Sequence, residues 1–198
     1  MHNDEIELKF PVADIEALQR RLPGLGLHLD TPRTLESNTL YDTPDRSLKE
    51  QRRILRIRHY NGLWLVTHKR PRPDNNDDSR YKVRLETQSI VENGPALGAI
   101  FEQLGFGPVF RYEKFRSEWS DPAMPGANLV LDETPIGNFA ELEGPTGWID
   151  QMVARLGIDP DSCITESYGR LFLAWKERTN SPADNLTFDE ISLAKATL

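Results

Sequence analysis

The sequence is poor in several features that would have named a chemistry at once. It has one cysteine, Cys163, in 198 residues. A single thiol can form neither an internal disulfide nor a cysteine-based zinc cluster, so a reducing, cytoplasmic setting is expected. No apolar run reaches the ~18 residues that a membrane helix needs, so no membrane partner is expected. The opening MHNDEIELKF has neither the basic nor the apolar segment of a secretion signal. Neither G-x-x-x-x-G-K-S/T nor G-x-G-x-x-G occurs, so any phosphate must be held by side chains rather than by a glycine-rich loop. Positive charge is also in deficit. Lys plus Arg number 24 against 31 Asp plus Glu, a net charge of −7. That total excludes a general nucleic-acid or anionic-membrane binder, since both need a positive field. There is no internal repeat and no linker, so residues 1–177 are read as one domain and 178–198 as a loosely held polar tail.

What is present is alternation. Glu5, Glu7 and Lys9 share one face of a strand; Ile6, Leu8 and Phe10 share the other. Further strands are expected at residues 37–41, 54–60, 63–69, 80–88, 109–119, 128–132 and 139–143. Asn61-Gly62 is a strong hairpin signal between two of them. Helical spacing marks residues 12–22, 95–104, 148–156 and 164–177, with a short helix near 45–52. Residues 70–79 (RPRPDNNDDS) read as a mobile loop, either a lid or a long hairpin connection. Trp64, Trp119, Trp148 and Trp175 are expected to anchor helices to strands. The fold class is α+β.

In strand after strand, the face opposite the apolar one is ionisable. Collected, these faces offer Glu5, Glu7, Lys9, Arg56, Arg58, Lys69, Lys82, Arg84, Glu86, Lys114, Arg116, Asp132, Glu141 and Glu143. That is eight cations and six anions, a sum of +2. On an open antiparallel sheet such a face simply meets water. If the sheet closes with it inward, the charges need pairing, hydration or a ligand of complementary charge. Carboxylates at i and i+2, as in Glu5/Glu7 and Glu141/Glu143, repel one another unless a proton or cation lies between them. Oxygen-rich sets favour Mg²⁺ or Mn²⁺. Guanidinium and ammonium groups suit a polyanion. Metal beside clustered cations is the equipment of phosphoryl chemistry.

These residues resemble the CYTH, or triphosphate tunnel metalloenzyme, superfamily. Glu5-x-Glu7-x-Lys9 matches its signature. Tyr41-Asp42-Thr43-Pro44, Leu55-Arg56-Ile57-Arg58, Thr67-His68-Lys69, Arg84-Leu85-Glu86, Lys114-Phe115-Arg116, Leu131-Asp132 and Phe139-Ala140-Glu141-Leu142-Glu143 follow in the family's order. Ser167-Tyr168-Gly169-Arg170-Leu171 is similar to its last-helix motif. The resemblance spans about residues 4–175. It implies an eight-stranded antiparallel β-barrel, a tunnel with helices packed outside. It implies metal on Glu5, Glu7, Glu141 and Glu143, with Asp132 near it. The triphosphate would lie on Lys9, Arg56, Arg58, Lys69, Lys82, Arg84, Lys114 and Arg116, with Lys9, Arg56, Arg58 and Glu86 closest to the chemistry. Gln88 departs from the pattern, since the family often has an acid there.

The resemblance implies either hydrolysis of inorganic triphosphate, ATP or thiamine triphosphate, or cyclisation of ATP to cyclic AMP and pyrophosphate. Hydrolysis is the expected reaction, because it needs only a positioned water. A module that binds polyphosphate or nucleotide without turnover is the reading from another class. The family allows a homodimer.

Overall fold

The computed structural model describes residues 3–72 and 80–197. Its strands are β1 (Asn3–Pro11), β2 (His28–Asp42), β3 (Ile54–Tyr60), β4 (Leu63–Pro71), β5 (Lys82–Val91), β6 (Gly107–Ser120), β7 (Asn128–Thr134) and β8 (Gly137–Glu143). They pair antiparallel in the order β1-β5-β4-β3-β2-β6-β7-β8 and close into a barrel. Closure is why an ionisable inner face can persist: no edge remains, and one face is screened from bulk water. The helices are α1 (Ile15–Arg21), α2 (Ser47–Glu50), α3 (Gly94–Gln103), α4 (Thr146–Leu156), α5 (Tyr168–Thr179) and α6 (Phe188–Thr197). Among the described residues, no helix is long and apolar enough to cross a membrane.

The apolar core lies outside the barrel rather than within it. Leu8 and Phe10 of β1, Leu129 and Leu131 of β7, and Leu142 of β8 point outward. They meet Trp148, Ile149, Met152 and Leu156 of α4 and Leu18 of α1. Each fully buried large side chain contributes about 1.5–3 kcal/mol, which is what offsets the cost of a charged interior. The tryptophans anchor as expected. Trp119, Trp148 and Trp175 are buried, and Trp64 packs under the start of α3. A Cβ on Gly94 would stand 2.1 Å from the Trp64 ring, so only glycine lets α3 approach. The β3–β4 turn has positive φ at both Asn61 (49°) and Gly62 (74°), the pairing that matches strand twist in a two-residue hairpin.

Two expectations are corrected. The second strand begins at His28, not at residue 37. Its first half hides from a period-two reading because it contains Pro32 and its pairing with β6 shifts register between Leu29/Thr31 and Thr31/Thr34. Residues 178–194 are not a loose tail. Leu186 bridges Tyr112, and Ala183, Leu186, Ile191 and Ala194 are buried against Tyr112, Phe172 and Trp175. Of the loop expected at 70–79, residues 70 and 71 end β4, and residues 73–79, where a lid was considered, lie outside the described residues.

Candidate active site

The alternation of β1 turns Glu5, Glu7 and Lys9 into the lumen. The same periodicity delivers Arg56 and Arg58 from β3, Lys69 from β4, Lys82, Arg84 and Glu86 from β5, Lys114 and Arg116 from β6, Asp132 from β7 and Glu141 and Glu143 from β8. They fall into three groups.

The first is acidic. One carboxylate oxygen from each of Glu5, Glu7 and Glu143 lies within 4.8 Å of the others. Lys69 bridges Glu5 at 2.5 Å and Glu86 at 2.8 Å, and Lys82 pairs with Glu7. Glu143 takes part in no ion pair among the described residues. Burial pushes its carboxyl up to about 7; Arg116 opposes this, while Glu141, Glu7 and Glu5 reinforce it. A carboxylate driven toward neutrality by burial beside like charges is what a cation site looks like before the cation arrives. Three oxygen donors so placed fit Mg²⁺ or Mn²⁺.

The second group is an anchored layer around Asp132, which is wholly buried. Asp132 accepts from Lys114 Nζ at 2.8 Å, from Arg116 Nε and Nη2 at 2.7 and 2.6 Å, and from the Tyr168 hydroxyl at 2.6 Å. Glu141 pairs with Lys9 at 2.9 Å and with Arg116 at 2.8 Å. Burial alone would raise the Glu141 carboxyl, but Lys9, Arg116 and Lys114 hold it well below the usual range. Asp132 and Glu141 were expected near metal. The structure gives them to cations and leaves them out of the carboxylate trio. Tyr168, from the first turn of α5, plugs this end. Lys9 and Lys114 sit over its ring at 3.9 and 4.7 Å, and Lys9 also donates to the Glu166 carbonyl at 3.1 Å.

The third group is looser. Arg56 donates to Tyr112 Oη at 3.0 Å and to Thr67 at 3.3 Å, and Thr67 donates to Gln88 at 3.1 Å. Gln88 thus serves as a neutral acceptor. Arg84 donates to the Arg52 carbonyl at 2.6 Å. The Nε atoms of Arg56 and Arg58 are buried without a hydrogen-bond partner. A cavity of about 880 Å³ opens beside these groups, lined among others by Glu5, Arg58, Lys69, Glu86, Arg116 and Glu143. That volume suits a small ligand.

Sequence reading missed Glu36, Asn38 and Tyr112, and it aligned Glu118 with Lys114 and Arg116 without counting it among the site residues. Glu36 is fully buried among Arg58, Lys114 and Arg116. Glu118 lines the cavity and accepts from Thr31 at 3.1 Å. Carrying the alternation of β2 back two residues from Asn38 would have found Glu36.

The CYTH domain model matches residues 3–156. A Methanocaldococcus jannaschii protein, provisionally named an adenylate cyclase, is 26% identical over 172 residues, spanning 83% of this chain and 95% of its own. A Vibrio parahaemolyticus structure with the same provisional name superposes with a TM-score of 0.73 at 20% identity, over 87% of this chain and 99% of its own. A Hippeastrum structure, provisionally named an adenylyl cyclase and described as having a dominant triphosphatase activity, gives 0.60 at 20% identity, over 88% and 96%. At these identities the two structures speak for the fold alone. The family match, which covers all eight strands of the barrel, establishes that this chain belongs to the CYTH domain family.

Proposed function

We propose that the protein is a metal-dependent triphosphatase, acting on inorganic or organic triphosphate inside the barrel. The observation that carries this reading is one closed lumen with the Glu5/Glu7/Glu143 carboxylates beside a wall of Arg and Lys side chains. A plain anion binder has no use for such a carboxylate trio. A divalent cation held by Glu5, Glu7 and Glu143 would supply charge compensation at phosphate oxygens.

The protein's own residues supply the rest by positioning and electrostatics, the main currency of phosphoryl transfer. Arg58, Lys69 and Arg116 reach the cavity and hold the phosphates, and Lys82 pairs with Glu7 of the carboxylate trio. Arg56 keeps its Nε free to donate. Lys9 and Lys114, packed over Tyr168, extend the positive field at the closed end. Burial would raise the Glu86 carboxyl, but Lys69, Arg56 and Arg58 outweigh it and keep it below its ordinary range. A carboxylate made that acidic is a poor base. Its role is to orient Lys69, and the attacking water comes from the cavity.

The test is an assay with Mg²⁺ or Mn²⁺ on inorganic triphosphate, ATP and thiamine triphosphate, resolving phosphate, pyrophosphate and cyclic AMP. Phosphate release is expected, and Glu7→Gln should abolish it while leaving the fold intact. Cyclic AMP with pyrophosphate as the main products from ATP would replace this reading by the cyclase one. Triphosphate binding unchanged by EDTA, with no product from any substrate, would replace it by a binding module.

A further inference from the structure

Two buried carboxylates share the cation wall, and they are bonded in opposite ways. Asp132 is saturated with hydrogen bonds from Lys114, Arg116 and Tyr168. Glu36, also wholly buried, lies at ion-pair distance from Lys114 (3.5 Å), Arg58 (3.7 Å) and Arg116 (3.9 Å) and hydrogen-bonds to none of them. Its Oε1 accepts from Asn38 Nδ2 at 2.9 Å, and its Oε2 has no hydrogen-bond partner. Arg58 Nε is unbonded too. Asp132 therefore fixes geometry. Glu36 supplies charge while leaving Arg58 Nε unspent.

We propose that Glu36 is a positioning residue that sets how tightly the tunnel holds its polyphosphate, and that Asn38 keeps it from collapsing onto Arg58. The inference rests on the triphosphate reading above. Glu36 gathers Arg58, Lys114 and Arg116 without hydrogen-bonding any of them, so an incoming phosphate finds Arg58 Nε free beside two cations that Asp132 holds in place. The same negative charge repels the phosphate and so limits affinity, which favours release of the product anion. Burial alone would raise the Glu36 carboxyl, but Lys114, Arg58, Arg116 and Arg56 hold it far below the ordinary range, so its charge persists at any working pH. Asn38 is buried at 3% exposure, and among the described residues its side chain hydrogen-bonds to Glu36 alone. Without that bond the carboxylate can turn its oxygens onto Arg58 and compete with substrate.

Two neighbouring substitutions should then act with opposite signs. Binding of inorganic triphosphate is measured by calorimetry in EDTA, where no turnover occurs. Glu36→Gln keeps the shape and an acceptor for Asn38 but removes a charge. One charge a few ångströms from a phosphate, at an effective dielectric of about 20, is worth roughly tenfold or more, so Kd should fall by at least that. With Mg²⁺ present, inhibition by added pyrophosphate should tighten in parallel. Asn38→Ala should raise Kd several-fold, and Glu36→Asp, which keeps the charge, should restore an affinity near wild type. A purely structural role would lower the melting midpoint without this split in sign. Unchanged or weaker binding by folded Glu36→Gln overturns the proposal. If that variant does not fold, unchanged or tighter binding by Asn38→Ala does so. Wild-type protein that binds no triphosphate at all would instead overturn the triphosphate reading.

Discussion

Asp132 offers the sharpest test of how the lumen is built. Asp132→Asn preserves volume but removes the charge that holds two cations. It also turns one carboxylate oxygen into an amide donor facing Lys114, Arg116 and the Tyr168 hydroxyl, all of which donate to Asp132 at 2.6–2.8 Å. Removing one partner of a buried ion pair costs about 3–5 kcal/mol, because the other charge is left uncompensated. For a chain of this size each kcal/mol moves the midpoint by about 2–4 °C. The expected loss is therefore roughly 6–20 °C in a thermal melt followed by circular dichroism. The control is Glu16→Gln. Glu16 meets Arg20 at 3.8 Å with both side chains mostly exposed, a pair worth no more than about 0.5 kcal/mol. If Asp132→Asn melts within ~3 °C of wild type, no further than that control, the claim that Asp132 anchors the cation wall is wrong.

Glu143 and the C-terminal helix give two further tests. The Glu143 carboxyl titrates at about 7 against an ordinary 4.5, so folding favours its protonated form. That stability is fully present below the unfolded value and is lost as pH rises through about 7. The EDTA-treated protein should melt progressively lower from about pH 5 to 8, and Glu143→Gln should flatten that slope. Magnesium binding near pH 6.5 should release protons from wild type, measurable by calorimetry in buffers of different ionisation heat, and Glu143→Gln should lose that release. Leu186, fully buried beneath α6, should cost about 2–5 kcal/mol as Leu186→Ala in a urea titration. A loss under ~0.5 kcal/mol would mean that this segment is not docked.

Which parts of the site were legible follows from strand regularity. β1, β3 and β8 alternate without interruption, so Lys9, Arg56, Arg58, Glu141 and Glu143 could be assigned to one face from the sequence alone. β2 breaks the rule. A proline and two register shifts in its first half erase the period there, so the expected strand starts at residue 37 and leaves Glu36, which lies in the regular stretch from Thr34 to Leu40, one residue outside it. The grouping of the carboxylates could not be read either. Glu141 and Glu143 look equivalent along β8, yet Lys9 and Arg116 claim the first and leave the second to join Glu5 and Glu7. That division depends on which strands lie opposite, and only barrel closure decides it. Around α6, small and widely spaced apolar residues form no stripe, so their burial against Tyr112 and Trp175 left no periodic trace.

Glu36 and Glu118 also change the electrostatic account of the tunnel. Added to the six carboxylates read from alternation, they match the eight inward cations, so these side chains sum to zero rather than +2, and Asp30 also lines the cavity. The remainder of the chain then carries −7. What draws a polyanion inside is separation of charge: acids gathered at Glu5, Glu7 and Glu143, and unspent donors on Arg56 and Arg58. A field from paired charges dies within a few ångströms, whereas the field of a net charge reaches across a Debye length of about 8–10 Å. Triphosphate should therefore be repelled weakly at long range and held only once inside. Electrostatically steered association slows steeply as salt is added. Here stopped-flow binding of a fluorescent triphosphate should show an on-rate that is flat or rises as salt goes from about 50 to 200 mM, with the loss of affinity appearing in the off-rate. An on-rate that falls steeply over that range would mean that a net positive field extends beyond the mouth, and the neutral-lumen argument would fail.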